Sequence, residues 1–160
     1  MGLIGGIVEE IKIRSAKEND SKDIFEWRND ELTRQMSHTS EIIDWENHNR
    51  WHSNSLNSQS RVLLICEDNR NEKIAIIRFD ISESNAIISI NLNPNQRGKG
   101  LAKSCLIQSI EFFSKEYIGI KNLIAEIKED NIASQKTFLG IGFTKYNLKE
   151  NIGFYKKILV

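Results

Sequence analysis

The sequence predicts an α/β domain with a mixed sheet, and three observations carry that reading. Alternating, β-branched runs recur along the chain, as in "KIAIIRFDIS" and "AIISINL". Between them lie stretches with apolar residues at helical spacing, clearest at Ala102, Leu106, Ile110, Phe113 and Tyr117. The strand-like runs are consecutive in mid-chain, so the order reads β-α-α-β-β-β-α-β-α-β-β. That is not the strict alternation of a doubly wound parallel sheet.

Each element has its own signal. "IVEEIKIRSA" alternates and reads as the first strand. "NDSKDIFEWRND" opens on capping residues and sets Ile24 and Trp27 at helical spacing. "EIIDWENHNRWHSNSL" reads as a second helix, with Trp45, His48 and Trp51 or His52 three or four apart. "RVLLICE", "KIAIIRFDIS" and "AIISINL" are strands, separated by the turns "DNRNE" and "ESN". A helix starts at about Gly100 or Leu101, the strand "IKNLIAEIK" follows, and "NIASQKTFLGIGF" is a short helix stopped by glycine. "GFTKYNL" and "IGFYKKILV" close the chain as strands.

Composition bounds the function. The chain has 160 residues with no repeat and no linker signal, which predicts one domain over 1–160. Twenty-two basic residues balance 22 acidic ones, which argues against a nucleic-acid binder that relies on bulk charge. No apolar run reaches membrane-spanning length, and "MGLIGGIVEE" reads as a leader into the first strand rather than a signal peptide. Cys66 and Cys105 sit in apolar-periodic segments and read as buried, reduced thiols of a cytoplasmic protein. His38, His48 and His52 have no matching cysteine or carboxylate set, so no metal is expected.

One stretch points to chemistry. "NLNPNQRGKGLAKSCL" places Arg97, Gly98, Lys99 and Gly100 between a strand and a helix. A Walker A loop is excluded because Gly100 follows Lys99, and a dinucleotide fingerprint is excluded because Lys103 replaces the third glycine. What remains is an anion site on the free amides of a helix start near Leu101, with Arg97 and Lys99 at its rim, or else a capped turn with solvated basic residues. On the strands, Ile74, Ile76, Arg78 and Asp80 share one face, as do Ile87, Ser89 and Asn91. Asp80 is a candidate to hold or deprotonate an incoming ammonium, unless Arg78 and Asp80 simply pair with each other. Ser89 is a further catalytic candidate.

Arg97, Gly100 and Ala102 fit the pattern Arg/Gln-x-x-Gly-x-Gly/Ala, and Asn131, Ser134, Phe138 and Gly142-Phe143 follow at fixed offsets. On these motifs, and on element order over nearly the whole chain, the sequence resembles the GCN5-related N-acetyltransferase (GNAT) superfamily. The resemblance implies a mixed, mostly antiparallel twisted sheet of about six to seven strands flanked by about four helices. It implies that the 97–102 loop binds the pyrophosphate of acetyl-CoA, and that Asn131, Ser134 and Phe138 lie along the pantetheine arm. Backbone groups at Leu92 and Asn93 would hydrogen-bond that arm where the strand splays from its neighbour.

The N-terminal half, "FEWRNDELTRQMS" with "IIDWENHNRWHSNSL", looks like the branch that acetylates UDP-linked 4-amino-sugars in pseudaminic acid synthesis. That likeness implies acceptor contacts from Trp27, Arg28, Asn29, His48 and Trp51, joined by Arg78 from the strand-face reading. The residues themselves leave alternatives. Trp27 and Trp51 equally suit core packing, Arg28 an ion pair with Asp30 or Glu31, and His48 a capping role instead of a base. Two departures from the family stand out. Ala86-Ile87-Ile88 occupies the region where many relatives carry a glutamate, and Phe138 stands where many carry a proton-donating tyrosine. Tyr146, Tyr155 or water remain as proton donors. The expected activity is direct acetyl transfer to a primary amine, by a protein that is a possible homodimer. The alternatives are a protein α-amino acetyltransferase or a non-catalytic acyl-CoA-binding module.

Overall fold

The structure, a computed structural model, describes residues 10–159. The strands are β1 (Lys12–Ser15), β2 (Arg61–Glu67), β3 (Lys73–Ser82), β4 (Asn85–Leu92), β5 (Asn122–Lys128), β6 (Thr144–Lys149) and β7 (Ile152–Ile158). The helices are α1 (Ser21–Asn29), α2 (Glu31–Met36), α3 (Trp45–Leu56), α4 (Leu101–Glu116) and α5 (Ile132–Gly140). Among the described residues five α-helices replace the four or so expected, because α2 was not foreseen. None of its residues is buried, so it carries no apolar period; it exists because the Asp30 side chain accepts the Thr33 N–H and restarts the helix just after α1 ends. Helix α3 starts at Trp45, later than expected, because Asp44 caps it through the Asn47 N–H. Of the predicted first strand, residues 7–9 lie outside the described residues, as does most of the leader segment.

All seven strands form one sheet in the order β1-β2-β3-β4-β5-β7-β6. Neighbours are antiparallel except β4 and β5. Residues Glu150 and Asn151, at φ 49° and 67°, form the β6–β7 turn with the paired positive φ of a type I′ hairpin.

Each sheet face has its own core. Under α4 and α5 lie Leu64, Ile77, Phe79, Ile88, Leu106, Phe113, Leu123 and Tyr155, with the Phe79 and Phe113 rings stacked 3.9 Å apart. Under α1 and α3 lie Ile24, Trp27, Leu63, Ile65 and Ile76. Each fully buried aliphatic or phenyl side chain contributes about 1.5–3 kcal/mol. Cys66 and Cys105 are buried free thiols in the larger core, as the sequence suggested. No helix among the described residues is long and apolar enough to cross a membrane.

Candidate active site

Strands β4 and β5 pair only at Asn85–Ile87 with Asn122–Ile124, and then part. Which backbone groups face the gap follows from register. Asn93 N–H donates to the Ile74 carbonyl (2.8 Å), so the odd-numbered residues of β4 point their amides at β3. Ile90 and Leu92 therefore direct N–H and C=O toward β5, where no strand pairs with them. This keeps Leu92 as a backbone donor to the gap and adds Ile90, which sequence reasoning missed. It corrects Asn93. Besides its amide, the Asn93 carbonyl accepts from Gln96 N–H, its Nδ2 donates to Lys73 O, and its Oδ1 accepts from Asn95 N–H. Asn93 has no free backbone group to offer a ligand.

The loop beyond β4 opens onto the same gap. Gly98 and Gly100 sit at φ 73° and 71°, and a Cβ at either would meet nothing within 4 Å. Glycine is there for its backbone angle, and the space beside the loop stays open. Gly100 caps α4 without any side-chain hydrogen bond, so the first amides of α4, from Leu101 and Ala102, keep their donors unengaged by a cap. Arg97 is corrected from rim charge to tether: its Nη2 bonds the Asp30 carboxylate and the Thr33 hydroxyl, tying the loop to the α1–α2 corner. The guanidinium holds the Asp30 carboxyl below the usual range. Lys99 reaches Gln96 Oε1 at 3.3 Å. Across the gap, Asn131 caps α5 by accepting the Ser134 N–H, and Ser134, Thr137 and Phe138 line the same cleft. Phe138 is buried edge-on against Phe143, with ring centroids 5.0 Å apart.

The cleft as a whole, from the α4–α5 side to the sheet face under α1–α3, measures about 700 Å³. Arg78 pairs in register with Ser89, and Asp80 with Ile87, so the two strand faces read from alternation do join. Arg28 from α1 stacks over Trp51 from α3, its Cζ 4.4 Å from the ring centroid. Arg61 approaches Trp51 at 5.6 Å. Asp80 is the carboxylate in direct contact with the group: Arg61 Nε donates at 2.6 Å, and Arg78 Nε lies 3.2 Å from the other oxygen without hydrogen-bond alignment. Burial, then the neighbouring charges of Arg78 and Arg61, lower the Arg28 pKa to about 10. Burial also lowers that of Arg78, with Arg61 adding to the effect and Asp80 and Glu126 only partly opposing it. Both arginines remain cations at neutral pH, and their mutual repulsion is incompletely compensated. Asp80 is corrected as a base, since both of its oxygens face guanidinium groups.

Three other expectations are corrected. His48 is fully buried; its Nε2–H donates to the Ser21 carbonyl (2.8 Å) and its Nδ1 accepts from Arg28 (3.1 Å). Burial lowers its pKa to about 4, with Arg28 adding to the effect against the Ser21 hydrogen bond. It has no lone pair for an acceptor, so it is neither base nor substrate contact but holds Arg28 in place. Asn29 spends its amide on the backbone of Ile43, donating and accepting at 2.8 Å, and thereby pins the α2–α3 segment. Trp27 is core, packed with Ile24 and Ile76 and away from the cleft lining. Neither tyrosine reaches the cleft either: Tyr155 is buried in the larger core, and Tyr146 is exposed on β6. The cleft also contains Glu126 and His38, which sequence reasoning did not single out.

A half-open sheet whose parted strands present backbone donors, next to an uncapped glycine-started helix, defines an acyltransferase domain of the acyl-CoA type. Residues 10–144 match the family described as acetyltransferase (GNAT) domain, and the chain belongs to that family. An uncharacterized protein of Methanocaldococcus jannaschii is 27% identical over 139 residues, a match covering 85% of this chain and 28% of that protein. The chain thus spans under a third of the length of that relative. A solved domain from Methanocaldococcus jannaschii superposes with TM-score 0.80 at 26% identity, covering 95% of this chain and 100% of that one. The spermidine N-acetyltransferase of Vibrio cholerae, solved with CoA and spermine, superposes with TM-score 0.85 at 13% identity, covering 92% and 95%.

Proposed function

We propose that this protein transfers acetyl from acetyl-CoA to the primary amine of a small acceptor that also carries negative charge, with a UDP-linked 4-amino-sugar as that acceptor. The observation that carries the acceptor class is the cleft-wall cluster of Arg28, Arg61 and Arg78, in which Asp80 is the carboxylate in direct contact. Desolvated, incompletely paired guanidinium groups are costly unless an anion completes them, and planar forks suit phosphate. The Trp51 face beside them offers a stacking surface for a base or sugar.

The donor side fits the residues present. Acetyl-CoA would supply the activated acetyl thioester. The free amides at the start of α4 and the positive-φ glycines suit a pyrophosphate, and the unpaired amides of Ile90 and Leu92 suit an amide-bearing arm. One of those N–H groups is available to the acetyl oxygen as negative charge gathers on it. Phe138 packs at the cleft but has no proton to give. The Vibrio cholerae relative is described with spermine, a polycation. In this cleft a polyamine would meet like charges at Arg28 and Arg78 beside the carboxylates of Glu41, Asp80 and Glu126, of which Asp80 is already engaged by arginines.

Thiol release from acetyl-CoA, measured with a UDP-linked 4-amino-sugar, spermidine and a peptide N-terminus, tests the reading. Turnover is expected with the nucleotide-sugar and not with spermidine. Transfer to spermidine or peptide alone overturns the acceptor class. Binding of CoA without transfer to any amine overturns the enzyme in favour of a binding module.

A further inference from the structure

A single carboxylate joins the two halves of the cleft. Asp30 stands between α1 and α2, and its Oδ2 accepts from the Thr33 N–H (3.1 Å), the Thr33 hydroxyl (3.3 Å) and Arg97 Nη2. The same Nη2 also donates to the Thr33 hydroxyl oxygen at 2.9 Å. Asp30, Thr33 and Arg97 therefore close a triangle between the cap of α2 and the residue before Gly98, where the positive-φ loop begins.

Helix α2 has little else to hold it. It has six residues and buries none of them, far below the length at which a helix stands alone. From the sheet, Lys128 Nζ reaches the carbonyl of the exposed Gln35 (3.0 Å), and Asn91 Oδ1 lies 3.5 Å from the Thr33 hydroxyl. Among the described residues the Arg97–Asp30 link is the one ion pair that reaches this corner, and both side chains are largely covered. Leu32, Thr33 and Met36 of α2 nevertheless line the cleft, together with Arg28 and Trp51. The wall that faces an acceptor is thus held from the loop that faces the donor.

We propose that Asp30 is a positioning residue that couples the two substrates: CoA pyrophosphate on the start of α4 fixes the Arg97 loop, and through Asp30 the loop fixes α2 beside the acceptor. The assignment rests on the acetyl-transfer reading above. Arg97 spends only Nη2 on the tie among the described residues, so its other donors can meet an anion without breaking it. The coupling is one of order. The first ligand to bind orders the loop and α2 together, and the second meets a wall already in place. By linkage the effect is mutual: CoA tightens the acceptor by the factor by which the acceptor tightens CoA.

CoA has no acetyl group to give, so it forms a ternary complex with the acceptor without turnover. Calorimetric titration of a UDP-linked 4-amino-sugar into the protein, alone and saturated with CoA, gives the coupling factor. In wild type the sugar should bind about tenfold more tightly with CoA present. Asp30→Asn keeps an oxygen to cap α2 and removes the charge that holds Arg97. Its factor should fall to within about twofold of one. Arg97→Gln should do the same, and the double variant should lose no more than either single one, as two ends of one tie require. A merely structural role would weaken both ligands in every state and leave the factor as it was. Hydrogen exchange over residues 30–37 reads the tie without any acceptor: CoA should slow the α2 amides about tenfold in wild type and not in Asp30→Asn. A wild-type factor at or below one, a tenfold factor that survives Asp30→Asn, or α2 exchange indifferent to CoA overturns the coupling. If no UDP-linked sugar binds, yet CoA protects α2 through Asp30, the tie stands and the acceptor reading falls. Failure of CoA to bind overturns the acetyl-transfer reading and the coupling with it.

Discussion

Nη1 of Arg28 lies 3.1 Å from Nδ1 of His48, whose Nε2 lies 2.8 Å from the Ser21 carbonyl oxygen. The carbonyl accepts only, so Nε2 carries the proton and Nδ1 is left to accept from the guanidinium. A buried imidazole thus fixes the direction of a cation that stacks on Trp51. Replacing it should act through Arg28. His48→Ala should raise the KM for the acceptor about tenfold or more, the scale of losing a hydrogen bond to a charged group. CoA affinity should be unchanged, since no cofactor-side residue touches His48. Steady-state kinetics with calorimetric CoA titration separates the two; an equal loss on both sides would mean general unfolding of the cleft.

The same burial makes stability depend on pH. The His48 pKa is lowered from 6.5 to about 4. Between those values the unfolded chain binds a proton that the folded chain refuses, so unfolding is favoured as pH falls through this window. The contribution is fully present above about pH 6.5 and is lost progressively down to about pH 4, amounting to about 3 kcal/mol. Urea unfolding at pH 7 and pH 4.5 should show a smaller drop in His48→Gln than in wild type, other groups being common to both. Equal drops would place the imidazole in solvent.

A buried carboxylate stabilises the N-terminal half. Asp20 is fully buried, with Arg14 Nη1 at 2.8 Å, Lys73 Nζ at 2.7 Å and the Lys17 amide at 2.7 Å. Arg14, Lys73 and the Lys17 amide outweigh the cost of burial and hold its carboxyl well below the ordinary range. It joins β1, the entry to α1, and β3. Asp20→Asn leaves two cations facing a neutral amide and should destabilise the protein by about 3 kcal/mol. The shift should be read in the urea midpoint at pH 7. Because the folded carboxyl is depressed, this contribution is present above about pH 4 and is lost as pH falls further, where wild type and variant should converge.

What was legible in the sequence is what depends on local pattern. Strand alternation places Arg78, Asp80 and Ser89 on faces that the hairpin then joins, and the glycine run marks the start of α4 within a residue. What was not legible depends on pairing between distant segments. Asn93 and Leu92 are neighbours, yet opposite edges of β4 claim their amides, and only the hydrogen bond to Ile74 decides which. Glu126 is a polar residue in an alternating strand, ordinary until β4 parts from β5. His48 stands among polar residues in "ENHNRWHS", and nothing local says that its ring is enclosed beneath α1. Helix α2 buries no side chain and so has no period to read.

Gly100 allows backbone shape and charge to be separated. At φ 71° and ψ 23° it occupies the left-handed region, and a Cβ there would meet nothing within 4 Å. Gly100→Ala therefore costs only the backbone preference, about 1–2 kcal/mol of stability, and should change CoA affinity little. Gly100→Glu carries the same backbone cost and adds a carboxylate beside the unsatisfied amides of α4. If those amides receive the pyrophosphate, the new carboxylate competes for them and repels the ligand. CoA affinity should then fall about 100-fold or more relative to Gly100→Ala, while the two variants melt within a few degrees of each other. Raising salt should recover part of the glutamate variant's loss, since the repulsion is screened and the backbone term is not. Equal CoA affinity in the two variants would remove the pyrophosphate from the start of α4 and leave the amides of Ile90 and Leu92 as the donor site's remaining backbone contacts.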